Sequence, residues 1–406
     1  MPVYLLATLD TKGPEAAFVR DLLTELGVET RLVDTGCLSE PSVPADVSRA
    51  EVFAAAGTSL REMQDLGDRG AAVTKAADDA RTLIRTLFDE RQVDGVMALG
   101  GSAGTTIGTA AMRALPLGVP KVMVSTLASG QTRPYVGGRD IVMLNSVVDI
   151  SGINRISRAV LSQAACAMAG MVTLKPSPQD GSGHERDRPL IAATMFGVTT
   201  PCVQHAQTTL DEAGYEVLVF HATGNGGEAM EGLIADGLIA GVLDLTTTEL
   251  ADELVGGVLS AGPTRLTAAG RQGVPQVISV GATDMVNFGP RATVPERFAD
   301  RRFHVHNANV TLMRTTVEEN RRLGGEIARK AAASLGATAI LLPLQGVSAI
   351  DKLGEPFDDP AARDALFEAI RENRGGAELL ELDLHINDFA FADAAAKTLL
   401  EMLGKA

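Results

Sequence analysis

Residues 93–115 read VDGVMALGGSAGTTIGTAAMRAL, and this stretch decides the fold. The apolar run Val93 to Leu99 predicts a buried strand, and a small-residue turn, Gly100-Gly101-Ser102-Ala103-Gly104, follows it. Thr105 and Thr106 then open a helix that carries on through Leu115. Strand, glycine turn and helix in that order are the parts of an anion site. The first amides of a helix have no partner inside it, and glycines let a ligand approach the backbone. The turn is not a P-loop, because no Gly-Lys-Ser/Thr follows the glycines. Its glycine spacing also differs from the dinucleotide fingerprint. The plainer alternative is a tight strand-to-helix turn with a hydroxyl cap.

The same alternation runs outward in both directions. Val3 to Leu9 and Glu29 to Val33 read as strands flanking a helix that ends near Leu26, and a longer helix spans about 71–91. Pro120 to Ser125 and Ile141 to Leu144 are two further strands. Ile153, Ile156, Val160, Ala164, Ala167, Met168 and Met171 repeat at helical spacing. Gln179 to Pro189, QDGSGHERDRP, is polar and glycine-containing and reads as a linker, with His184 inside it. The pattern then restarts, with strands at 190–196, 215–220, 238–245 and 275–280. VETRLVDTG answers YEVLVFHATG, VDGVMALGG answers IAGVLDLTT, and VPKVMVSTLASG answers VPQVISVGATDMVNFG. We read α/β architecture in two doubly wound parallel-sheet domains, residues 1–183 and 184–406, related by an apparent internal duplication. The first is assigned the ligand-binding turn. In the second, 290–314 reads as an excursion, followed by a helix from Val317, strands at 339–342 and 379–384, and a last helix over about 390–403.

Composition narrows the function. The 406 residues carry a formal charge of −15, only 4% aromatics and no Trp. Direct nucleic-acid binding is disfavoured, since a phosphate backbone would be repelled and stacking surfaces are scarce. Cys37, Cys166 and Cys202 are widely spaced and form no metal or disulfide pattern. The start, MPVYLLATLDTKG, reads as a strand and not as a signal peptide, and no window spans a bilayer. A cytoplasmic protein is expected.

Ligands of open parallel sheets bind beyond the carboxyl ends of the strands. The binding candidates at such tips are Asp10, Thr11 and Lys12, then Gly100, Gly101, Ser102, Gly104, Thr105 and Thr106, then Ser125 and Thr126. Lys12 is the lysine at a tip and a natural phosphate partner. Gly224-Asn225-Gly226-Gly227 offers a second nest of amides. Thr246 to Glu249 reads as a helix cap with an acidic first turn. Acid, base or polar contacts for chemistry would come from Asp284, Asn287, His304, His306 and His385. His304 and His306 would share one face of a strand, and Asp284 could complete a metal site with them. Two solvent-facing or hydrogen-bonded histidines explain the pair more simply, and no metal is assigned.

Five segments carry a family resemblance: ALGGSAGTTIGTAAMRALPLGVPKVMVST (98–126), NSVVDISGINRI (145–156), NVTLMRTTVEEN (309–320), LLPLQGVSAID (341–351) and LDLHINDFAFA (382–392). In collinear order along essentially the whole chain, they resemble the tobamovirus-resistance-protein-like ATP-binding family, whose members are mostly bacterial and uncharacterised. The resemblance implies two Rossmann-like domains, a homodimer and ATP as ligand. It does not place the ATP contacts, and the Gly100 to Thr106 turn is chosen on physical grounds. The plant member also carries a C-terminal barrel domain, and its chemistry is not carried over to this chain.

Three functions follow as expectations. The first is a dimeric ATP- or nucleotide-binding protein whose ligand lies at the glycine turn, facing a cleft between the domains. The missing P-loop lysine favours binding over hydrolysis. The second is a metabolic enzyme acting on a small phosphorylated or carboxylated compound in that cleft. The third is an interaction module whose surface the nucleotide tunes.

Overall fold

A computed structural model describes all residues except 38, 58, 60, 63–67, 131, 175–187 and 405–406, and the side chain of residue 69. The linker reading at 179–189, His184 included, therefore lies outside the described residues apart from Arg188 and Pro189. The chain divides into two compact units, residues 1–183 and 184–406.

The amino-terminal unit holds β1 (Val3–Ala7), β2 (Thr30–Asp34), β3 (Gly95–Gly100), β4 (Lys121–Ser125) and β5 (Val142–Asn145). They pair in parallel in the order β2-β1-β3-β4-β5. Every residue of β1 and β3 is buried, as expected of strands covered on both faces. The two-residue period distributes them between two cores. Val3, Leu5, Met97 and Leu99 pack on one face of the sheet. Tyr4, Leu6, Val96 and Ala98 pack on the other.

The carboxy-terminal unit holds β6 (Leu190–Met195), β7 (Glu216–His221), β8 (Gly241–Thr246) and β9 (Gln276–Gly281). It continues with β10 (Met285–Phe288), β11 (Phe303–Asn307), β12 (Val310–Arg314), β13 (Thr338–Pro343) and β14 (Glu378–Leu382). Its parallel sheet runs β14-β13-β9-β8-β6-β7. The excursion at 290–314 is not irregular. It contributes β11 and β12 to an antiparallel sheet in the order β10-β12-β11. Helices Val317–Ala332 and Pro360–Asn373 follow within the same unit.

Both sheets place their second strand outside the first and their third on its other side. This is a common doubly wound order, so sharing it does not by itself establish descent from one duplicated segment.

Candidate functional site

In such a sheet the connections diverge beside the first strand, and the crevice between the first and third strand tips is the natural ligand position. In the amino-terminal unit that crevice lies between the ends of β1 and β3. Helix Ser102–Arg113 starts there, with Gly101 at its N-cap and no side chain capping it. The first amide engaged is that of Thr105, which donates to the Gly101 carbonyl at 2.8 Å. Among the described residues, no acceptor meets the amides of Ser102, Ala103 or Gly104. These amides stand at the positive end of a helix dipole.

The glycines of this turn do different things. A Cβ on Gly100 would lie 2.9 Å from the Gly104 Cα, one on Gly104 3.1 Å from the Leu99 carbonyl, and one on Gly108 2.5 Å from the Ala98 Cβ. Those three let the helix pack hard against β3. Gly101 has no such neighbour: a Cβ there would meet only the Thr126 hydroxyl, at 3.8 Å. A cavity of about 50 Å³ reaches the helix start at Ala103 and is lined also by Thr8, Asp10, Thr11, Cys37 and Ile107 among others.

The hydroxyls expected at this turn are mostly turned inward. Thr105 and Ser125 are fully buried. The Thr105 hydroxyl donates to the Gly101 carbonyl at 2.7 Å and lies 2.7 Å from the Ser125 hydroxyl, tying the helix start to β4. The Thr106 hydroxyl donates to the Ser102 carbonyl. Ser102, which is exposed, and the half-buried Thr126 remain beside the amides. Lys12 does not reach them, because its ammonium donates to the carbonyl of Ile150.

The β1 and β2 tips are acidic. Asp34 is buried, and its Oδ1 accepts the amides of Leu9 at 3.1 Å and Gly36 at 2.9 Å. Burial raises its pKa, with the Gly36 and Leu9 amides opposing that rise. Asp10 stands above it and accepts the Ser39 amide. A Cβ on Gly36 would lie 2.8 Å from the Asp10 carboxyl carbon.

The carboxy-terminal unit closes the equivalent positions itself. Across its β6–β8 crevice the Thr199 and Thr246 hydroxyls meet at 2.8 Å. The second amide nest is filled. Glu249 Oε1 accepts the amides of Gly224 at 2.7 Å and Gly227 at 3.1 Å. Its Oε2 accepts Arg265 Nε at 2.6 Å. The Arg265 guanidinium, wholly buried, also forks onto Asp244 at 2.5 and 2.8 Å. Burial works against the arginine's charge, and Asp244, Glu249 and Glu231 overcome it, raising its pKa. Reading Glu249 as first-turn acidity alone missed this, because its partners Gly224, Gly227 and Arg265 lie 25, 22 and 16 residues away and leave no local signal.

The residues expected to supply chemistry are only partly brought together. Asp284 is buried and accepts the Ser348 hydroxyl at 2.9 Å. Burial, with the nearby Asp351 carboxylate, pushes its pKa up to about 7 against the pull of Arg314. His385 meets the same residue from the other side: Nε2 donates to the Ser348 carbonyl at 2.9 Å while Nδ1 accepts the Asn387 amide. Both ring nitrogens are thereby engaged, Nε2 as donor and Nδ1 as acceptor. Asn287, also buried, donates from Nδ2 to Asp252 at 2.7 Å. Burial pushes the Asp252 pKa up to about 7, with the Asn287 hydrogen bond opposing. His304 and His306 lie on β11, where His304 makes an edge contact with the Phe357 ring at 6.4 Å and His306 is exposed. Among the described residues, no three His, Cys, Asp or Glu side chains converge as a metal site would require, so His304, His306 and Asp284 do not form one.

The model of the Uncharacterised protein family (UPF0261) N-terminal domain matches residues 1–177, and that of its C-terminal domain matches 188–403. The chain belongs to the UPF0261 family. A UPF0261 protein of Clostridium tetani is 50% identical over 405 residues, covering 99% of each chain. The ToMV resistance protein Tm-1(GCR237) of Solanum lycopersicum is 45% identical over 340 residues, which are 83% of this chain and 45% of the tomato protein. Among solved structures, the UDP-GlcNAc 2-epimerase of Neisseria meningitidis aligns along all of both chains at 11% identity and a TM-score of 0.22, too low to support any comparison. The UPF0261 chain has no described helix long and apolar enough to cross a membrane.

Proposed function

We propose that the amino-terminal unit binds a nucleotide, with ATP as the reference ligand, by seating a phosphate on the amides of Ser102, Ala103 and Gly104. The observation that carries this reading is the uncapped helix start after Gly101, set at the topological switch point of the sheet. A cavity of about 50 Å³ takes a phosphoryl group, whereas whole small-molecule sites run to about 300 Å³ or more, so sugar and base extend beyond it. Asp10 on the same cavity favours a metal-chelated phosphate over a bare one. With Lys12 engaged at Ile150, the arrangement suits holding a phosphate more than transferring it. The resemblance and the composition extend the proposal to a cytoplasmic homodimer that contacts neither nucleic acid nor membrane directly.

Calorimetric titration of ATP, with and without Mg²⁺, against wild type and Gly101→Val tests the site. Saturable binding lost in the variant is expected, and equal affinity in both would remove the assignment. The alternative, a metabolic enzyme acting on a small phosphorylated or carboxylated compound, draws its support from the Asp284 carboxyl held near neutrality beside Ser348. The depth of Asp284 and Asn287 weighs against it.

A further inference from the structure

We propose that the carboxy-terminal unit carries a second, unrelated binding site for a small polyanion on the outer face of helix Val317–Ala332. Charge bookkeeping along that helix carries the argument. Its three acids each have a cation: Glu318 pairs with Arg321, Glu319 with Arg301 and Glu326 with Lys330, all at 2.6 Å. Arg322 and Arg329 are left over, and among the described residues neither has an ion-pair or hydrogen-bond partner. They are seven residues apart, two helical turns, so they lie on one face about 10 Å apart along the axis.

That face is concave. A groove of about 380 Å³, within the range of small-molecule sites, is lined by Leu254, Arg322, Gly325, Arg329, Ala369 and Glu372 among others. Its floor is kept low by small residues. Gly325 lets the Arg329 guanidinium lie across the helix, since a Cβ there would stand 3.0 Å from Nη1. Arg329 and Glu326 also line an adjoining groove of about 270 Å³ together with Arg271. The first groove is lined by three guanidinium groups, Arg321, Arg322 and Arg329, and three carboxylates, Glu318, Glu326 and Glu372. With Glu318 paired to Arg321 and Glu326 to Lys330, Arg322 and Arg329 remain against Glu372. Guanidinium forks match phosphate and carboxylate oxygens in pairs. Because the Arg329 guanidinium lies back over Gly325, one helical turn from Arg322, the pair suits a small polyanion that both forks can reach. The net charge of −15 opposes any anion from a distance, but at physiological salt that field is screened beyond about 8 Å, so the local pair of arginines decides.

The test uses the full chain carrying Gly101→Val, which removes the amino-terminal phosphate site, so this proposal and the nucleotide reading fail separately. Tripolyphosphate and citrate are titrated at constant ionic strength, the two probes distinguishing phosphate from carboxylate ligands. One saturable site is expected. Arg322→Gln and Arg329→Gln should each weaken it about tenfold or more, and Glu372→Gln should tighten it. All three side chains are exposed, so the replacements leave the fold intact, which the melting temperature without probe verifies. Absence of saturable binding for both probes, or affinity unchanged by the arginine replacements, would overturn the proposal.

Discussion

Glu249 serves Gly227 as a built-in anion. Its Oε1 accepts the Gly227 amide at 3.1 Å, and a Cβ at Gly227 would collide with Oε2 at 2.2 Å. The glycine exists there to admit the carboxylate. Glu249→Ala would leave Arg265, buried and cationic, with one counter-ion fewer, and should cost about 3–5 kcal/mol in urea unfolding. Adding formate or acetate should restore part of that loss in the alanine variant and leave the wild type unmoved. Equal effects of formate on both would show that the nest does not hold the anion.

Two buried carboxyls make stability depend on pH. Asp252 and Asp284 both hold their protons up to about pH 7 in the fold, while the unfolded chain releases them near 3.8. Between those values the folded state binds more protons. Their contribution to stability is therefore full below about pH 4, is lost as the pH rises to about 7, and is flat above. A shift of that size corresponds to an upper value of about 4 kcal/mol per group. Asp252→Asn cannot ionise and keeps an acceptor for the Asn287 and Leu259 amides. Subtracting its stability curve from that of the wild type over pH 4–8 should leave a slope of this sign.

Gly101 and Gly108 should respond oppositely to a methyl group. Gly108→Ala sets a Cβ 2.5 Å from that of Ala98 and should destabilise by about 1–3 kcal/mol. Gly101→Ala adds a methyl in open space at a negative φ, so its effect on stability should stay within about 1 kcal/mol while anion affinity falls. Thermal unfolding of the two variants separates packing from binding.

Replacing His304 and His306 together by Ala should change stability by no more than about 1 kcal/mol and leave ATP affinity as it was, since His306 is exposed and His304 is half-buried with an edge contact to Phe357. Loss of affinity in this double variant would move the site toward β11 and favour an enzymatic reading.

The parallel sheets were legible because buried strands are short apolar runs closed by small polar tips: 93–99 against the observed Gly95–Gly100, and 275–280 against Gln276–Gly281. The antiparallel sheet was not, because β11 and β12 carry polar residues such as His304, His306 and Thr311 and are separated by a two-residue turn that gives no strong signal. Helix Pro360–Asn373 went unread in the same half of the chain. The open amides followed from the glycine turn itself. The fates of Thr105, Lys12 and Glu249 did not, because each is decided by a partner brought close only by folding: Ser125, Ile150 and Arg265.

The tethered carboxylate at Gly224 and Gly227 has a consequence for how the two halves answer their surroundings. A counter-ion attached by a covalent chain is present at unit occupancy whatever the medium contains, so that half is permanently loaded. The amides after Gly101 have no such tenant, and under the proposed function they would fill only in proportion to what diffuses past. One half would then be a constant, and the other a gauge of solute supply.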